Sequence, residues 1–162
     1  EEKARLIVQH IEYSPIDQYY DVSVFTQAAV QGCLGVNTMK ADKHLYDHVR
    51  FDSRNEKTFM EKLEENDEIE AYVKLPNSFY IPTPMGKYHP DWAIVFKQKL
   101  SKYPYFIAET KASDSSLQDR EIERAKIECA KKHFANVNGG KLKYDKVSSF
   151  EELLKIVAQD PV

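Results

Sequence analysis

The chain has 162 residues, a net charge of −3, 42% apolar and 30% charged residues. That is enough for one hydrophobic core and too little for two large ones, and the balance is that of a soluble globular protein. No apolar run approaches the roughly 18 residues of a membrane span, no signal-peptide pattern opens the chain, and Cys33 and Cys129 lack metal-like or disulfide-framework spacing, so a cytoplasmic setting with reduced thiols is expected.

In chain order, Leu6, Ile7, His10 and Ile11 share one face of a short helix, and residues 19–25 read as an extended segment. Gly32 and Gly35 flank Cys33 and Leu34 without a phosphate-loop pattern. Residues 1–52 are therefore expected to be an accessory segment packed on a core spanning 53–162. Ser53-Arg-Asn-Glu56 is a capping-box signature, and Phe59, Met60 and Leu63 give the helix behind it an apolar stripe ending near Asn66.

Ile69 to Leu75 alternates as a strand, Pro76-Asn77 turns the chain, and a short extension is expected at 79–81. Thr83-Pro-Met-Gly86 reads as a turn leading to a strand that starts after Pro90-Asp91. A second apolar strand, Tyr105 to Ala108, follows a polar loop. Ser113-Asp-Ser-Ser116 offers caps for a helix to about Phe134, burying some of Ile122, Ala125, Ile127, Cys129 and Ala130. Asn136 to Gly140 stops that helix, 141–147 is a strand candidate, and Ser149-Phe-Glu-Glu152 is a second capping box opening a last helix through Val157.

The chemistry gathers at one end of the central hairpin. Antiparallel partners have residue numbers of constant sum, and a loop centred near Leu100 makes that sum about 200. Val95 then faces Tyr105, Ala93 faces Ile107, and Asp91 faces Glu109, with Cβ atoms roughly 5 Å apart. Lys111 falls on the same face. Two carboxylates that close repel unless a cation lies between them or one is protonated, and a hard, oxygen-liganded ion such as Mg²⁺ suits Asp91, Glu109 and the Thr110 carbonyl. A lysine ammonium beside them can orient the attacking water or stabilise charge on a phosphate. The competing reading is ordinary strand-end charges.

These residues resemble a known family. Pro90-Asp91 with Glu109-Thr110-Lys111 matches the PD-(D/E)XK nuclease motif. The longer strings Tyr72-Val-Lys-Leu-Pro76, Thr83-Pro-Met-Gly-Lys-Tyr-His-Pro-Asp-Trp-Ala-Ile-Val95, Ala108-Glu-Thr-Lys111 and Cys129-Ala-Lys-Lys-His-Phe134 are similar to the C-terminal endonuclease domain of the restriction (Res) subunit of type III restriction enzymes. The resemblance implies an α/β restriction-endonuclease-like core, αβββαβ, with a mixed central sheet flanked by helices. It implies hydrolysis of double-stranded DNA with Mg²⁺, Mn²⁺ being a possible substitute. It also implies two partners, a helicase part of the same subunit and a modification (Mod) methyltransferase subunit. No G-x-x-x-x-G-K-[S/T] loop occurs, so no ATP site is expected here. The chain starts at Glu1 inside a helical pattern, in keeping with a domain taken from a larger protein.

Some assignments stay open. The resemblance brings Glu56 toward the metal site, whereas the capping box needs its carboxylate only as a helix cap. The lysines at 97, 99, 102, 131, 132, 141, 143 and 146 form either a phosphate track or a solvated surface. His89 is a supporting or DNA-contacting residue or a plain strand residue, His133 sits near a cationic helix end, and Trp92 is assigned to core packing. Rival functions are the nuclease of another helicase-nuclease and a non-catalytic DNA- or protein-binding module of the same fold.

Overall fold

The computed structural model describes residues 36–97, 105–110, 117–136 and 142–159, with backbone alone at 105–109 and 117–120. The expected elements before residue 36 and the caps at 113–116 lie outside these residues. The elements are β1 (Thr38–Lys40), β2 (His48–Arg50), α1 (Arg54–Glu65), β3 (Ile69–Lys74), β4 (Ile81–Thr83), β5 (Gly86–Tyr88), β6 (Trp92–Phe96), β7 (Tyr105–Glu109), α2 (Leu117–Ala135), β8 (Leu142–Lys146) and α3 (Phe150–Ala158).

A mixed four-stranded sheet, ordered β3-β6-β7-β8, organises the molecule. The first two pairings are antiparallel and β7 pairs β8 in parallel. A parallel return needs a long crossover, and α2 lies between β7 and β8 in the chain. In β6 the alternation is plain: Trp92, Ile94 and Phe96 are buried and Ala93 and Val95 less so. Opposite them stand Lys74, Tyr72 and Ile69, and a bulge between Ile69 and Ala71 lets Ile69 and Tyr72, three positions apart, both serve the buried side.

Two apolar clusters lie within the fold. One joins Trp92, Ile94, Phe96, Ile69 and Tyr72 to Phe59, Met60 and Leu63 of α1 and Phe150, Leu153 and Val157 of α3. The other joins Ile127, Ala130 and Phe134 of α2 to Ile81, Tyr88 and Tyr144, with Ala93 packed against it. Met60 and Leu63 are fully buried, and truncating either to Ala is expected to cost about 2–5 kcal/mol.

Both capping boxes form, with one shared departure from the simple pattern. Ser53 Oγ accepts from the Glu56 amide (3.1 Å), yet Glu56 Oε2 accepts from the amide of Asp52, one residue before the cap (2.9 Å). Ser149 and Glu152 repeat the arrangement, Glu152 reaching the amide of Ser148.

The expected extension at 79–81 is instead the start of a β4–β5 hairpin, because Thr83-Pro-Met-Gly86 closes a turn between two strands. Gly86 has φ 101°, a left-handed conformation that other residues resist, and Thr83 Oγ1 ties the turn to the Gly86 carbonyl (2.6 Å). Ile122 is 41% exposed rather than buried, since the inner face of α2 runs through Ile127, Ala130 and Phe134. Cys129 is fully buried, as expected.

The β1–β2 hairpin contributes Ala41 and Val49 to the first core, and its loop closes the outer edge of β3. Tyr72 donates its amide to the Lys43 carbonyl and accepts at its own carbonyl from Leu45 (3.1 and 3.2 Å), while Lys74 donates its amide to His44 Nε2 (3.0 Å). These bonds satisfy groups that a bare edge strand would leave unpaired. No helix among the described residues is long and apolar enough to cross a membrane.

Candidate active site

The β6–β7 register agrees with the expected sum: Val95 pairs with Tyr105, Ala93 with Ile107 and Trp92 with Ala108. Asp91 directly precedes β6 and Glu109 ends β7, so each lies one position beyond the Trp92–Ala108 pair, at the end where β6 begins and β7 finishes. Asp91 is held from several sides. Its carbonyl accepts from the Leu75 amide just past β3 (2.8 Å), and its Oδ2 accepts from the Thr110 amide (2.9 Å) and the Thr110 hydroxyl (3.0 Å). The same Thr110 oxygen accepts the indole N–H of Trp92 (3.1 Å). Lys111 and the Glu109 side chain lie outside the described residues.

Burial singles out the same positions. Among the described residues, the buried polar or charged ones are Glu56, Asp91 and Thr110, each 8% exposed. Charged and hydroxyl side chains go below the surface only when hydrogen-bonded, paired or liganded, so burial at three positions named for chemistry is informative.

A family model described as Endonuclease domain matches residues 42–150, more than half of the chain. The chain belongs to the endonuclease domain family. Among curated proteins and among solved structures no match is found.

In this endonuclease domain Glu56 is engaged differently from Asp91. Besides the Asp52 amide, its Oε2 contacts Lys74 Nζ at 2.7 Å, and Lys74 reaches Asp52 Oδ2 at 2.8 Å. Burial pulls the Lys74 ammonium toward its neutral form, but its bonds to Asp52 and Glu56 outweigh this and raise its pKa. Asp52 is correspondingly held below the usual carboxylate range by Lys74. Lys74 pairs across the sheet with Trp92, and its ammonium lies 5.9 Å from the centre of that ring. Glu56 thus fulfils its capping role while paired to a lysine.

His44 and His89 are engaged by backbone groups. His44 Nε2 accepts from the Lys74 amide, and burial lowers its pKa from 6.5 to about 4. His89 Nδ1 lies 3.1 Å from the Phe79 carbonyl, and burial pulls His133 below its ordinary pKa. Of the lysines proposed for a phosphate track, Lys131 is paired with Asp145 at 2.8 Å, Lys97 and Lys146 are exposed, and Lys99, Lys102 and Lys141 lie outside the described residues.

Two contacts at the candidate site are not legible in the sequence pattern. Lys74 ends an alternating strand and looks there like an ordinary solvated charge. Trp92 is packed as expected, but its indole also bonds Thr110 beside Asp91. The available signal was that a buried tryptophan almost always requires an acceptor for its N–H, and Trp92 adjoins the aspartate of the motif.

The donor chemistry suits a hard divalent cation. Asp91, Glu109 and the Thr110 carbonyl offer oxygen donors alone, and the Asp91 carboxylate is oriented by two donors from a single neighbouring residue.

Proposed function

We propose that this endonuclease domain hydrolyses phosphodiester bonds of double-stranded DNA with Mg²⁺, Mn²⁺ being a possible substitute, as the cleavage module of a type III restriction enzyme. The observation that carries the reading is the buried Asp91, clasped by Thr110 at the end of the β6–β7 ladder, in a chain of the endonuclease domain family. The order α1, β3, β6, β7, α2, β8, with the last strand parallel to its neighbour, supports the αβββαβ core of the PD-(D/E)XK nucleases.

Asp91, Glu109 and the Thr110 carbonyl would hold the ion. A bound Mg²⁺ supplies Lewis-acid polarisation of the phosphate and makes a water nucleophilic near neutral pH. Lys111 orients that water or stabilises charge developing on the phosphate. Glu56 assists from the α1 side once its carboxylate is shared away from Lys74. DNA grip, sequence choice and movement fall to the expected partners: the helicase part of the same subunit and the modification methyltransferase. The net charge of −3 is consistent with a domain that does not hold DNA by itself, because non-specific affinity comes from neutralising phosphates.

The test is cleavage of supercoiled plasmid by the 162-residue protein with Mg²⁺ or Mn²⁺ against EDTA, beside Asp91→Ala and Lys111→Ala. Metal-dependent nicking that both substitutions abolish is expected. If the wild-type chain does not cut, calorimetric metal binding lost in Asp91→Ala keeps the reading, and absence of binding removes it.

A further inference from the structure

The indole of Trp92 and the hydroxyl of Thr110 form a directed chain onto Asp91. An indole nitrogen is a donor only, whereas a threonine hydroxyl has one proton and two acceptor positions. Since Trp92 Nε1 approaches Thr110 Oγ1 at 3.1 Å, that oxygen accepts there, and its single proton is directed to Asp91 Oδ2 at 3.0 Å. The hydroxyl would otherwise rotate. The indole cannot easily turn away, because Trp92 is fully buried against Phe59 and Tyr72, with ring centres at 5.9 and 6.2 Å. The packing of α1 and β3 on Trp92 is thereby converted into the orientation of one carboxylate.

We infer that Trp92 and the Thr110 side chain are positioning residues that orient the Asp91 carboxylate for the metal, Trp92 acting through Thr110. The inference rests on the proposed metal role of Asp91 and adds to it that a core tryptophan sets metal affinity. It separates two functions of Thr110: the carbonyl as a ligand, and the hydroxyl as the link between Trp92 and Asp91. Outer partners that orient metal ligands typically change metal affinity by about 10- to 100-fold when lost.

The chain contains a single tryptophan, so a ¹⁵N-labelled sample gives one indole resonance, which can be followed beside Mg²⁺ calorimetry in wild type, Thr110→Val, Thr110→Ser, Trp92→Phe, the Trp92→Phe/Thr110→Val double variant and Asp91→Asn. In the wild type the indole proton is expected to be protected from exchange and to shift with the same Mg²⁺ midpoint that calorimetry gives. Thr110→Val loses the protection and binds Mg²⁺ about 10-fold or more weakly, Thr110→Ser restores both, and the double variant binds no more weakly than Thr110→Val alone. Folded Thr110→Val with wild-type affinity, or losses from Trp92→Phe and Thr110→Val that multiply, overturns the inference while Asp91→Asn still tests the metal reading. A wild-type chain with no Mg²⁺ binding removable by Asp91→Asn removes both. Because Thr110→Val replaces the hydroxyl by a methyl while Thr110→Ser keeps the hydroxyl, the outcome does not depend on Trp92→Phe folding.

Discussion

Asp91 and Glu56 are equally buried carboxylates on opposite sides of Trp92 in the contact network, and they are held in different ways. Asp91 is oriented by the amide and hydroxyl of Thr110, which bring no charge. Glu56 is neutralised by the ammonium of Lys74, which it shares with Asp52. The Thr110 donors fix the direction of the Asp91 carboxylate, whereas the Lys74 ammonium balances the charge of Glu56. On the proposed reading Asp91 holds the ion as it stands, and Glu56 would have to loosen from Lys74 to serve it.

The largest expected effect lies on the Asp91 side. Asp91→Asn keeps the shape and removes the charge, and metal-dependent cleavage should fall by on the order of 10²–10³-fold or more in a plasmid assay. On the Glu56 side the effects divide between stability and activity. Lys74→Met leaves Glu56 without its cation and Asp52 with Arg50 alone, and should cost about 2 kcal/mol in urea unfolding. Glu56→Gln should cost less, since Lys74 keeps Asp52 and the amide oxygen can still cap the helix. If Glu56 does reach the metal, Glu56→Gln nevertheless lowers cleavage by about 10-fold or more; unchanged cleavage would confine Glu56 to the cap and the ion pair.

The same contrast explains what could be read before the structure was known. The β6–β7 register followed from two apolar runs and one loop, because strand partners obey simple arithmetic and Trp92, Ile94 and Phe96 alternate cleanly. Both helix starts followed from local capping chemistry at Ser53 and Ser149. The pairing of Lys74 with Glu56 did not, because it joins residues 18 apart through a strand and a helix that meet only in the folded core. The bulge near Ile69 further shifts the face to which the strand's alternation assigns each residue. Trp92 was read correctly as core, but periodicity carries no information about where its N–H points. The β4–β5 hairpin was missed since runs of three residues give too little pattern to separate a turn from a strand end.

His44 ties the Glu56 side to pH. Its Nε2 accepts from the Lys74 amide, so protonation would set a donor against a donor, and burial already lowers its pKa to about 4. A histidine whose folded pKa lies below its unfolded value binds more protons when unfolded. Its contribution is therefore complete above about pH 6.5 and is lost as pH falls toward 4. Allowing for screening at a partly exposed ring, the loss should be on the order of 1–2 kcal/mol. Urea unfolding of wild type and His44→Gln at pH 7 and pH 4.5 isolates this share from the carboxylates that titrate nearby; equal pH dependence in the two proteins would contradict the assignment.

The smallest effect discriminates most finely between capping and site roles. Ser53→Ala removes the acceptor for the Glu56 amide and should cost about 1 kcal/mol, as should Ser149→Ala at the other box. The two substitutions are matched in chemistry and differ in what the closing glutamate of the box does: Glu152 binds Ser148, whereas Glu56 also contacts Lys74 beside Trp92. If Glu56 takes part in cleavage, frayed capping at Ser53 lets its carboxylate wander, and Ser53→Ala loses several-fold in kcat while Ser149→Ala, equally destabilised, does not. Equal kcat values at equal stability loss would mean that the first capping box does for its helix only what the second does for its own.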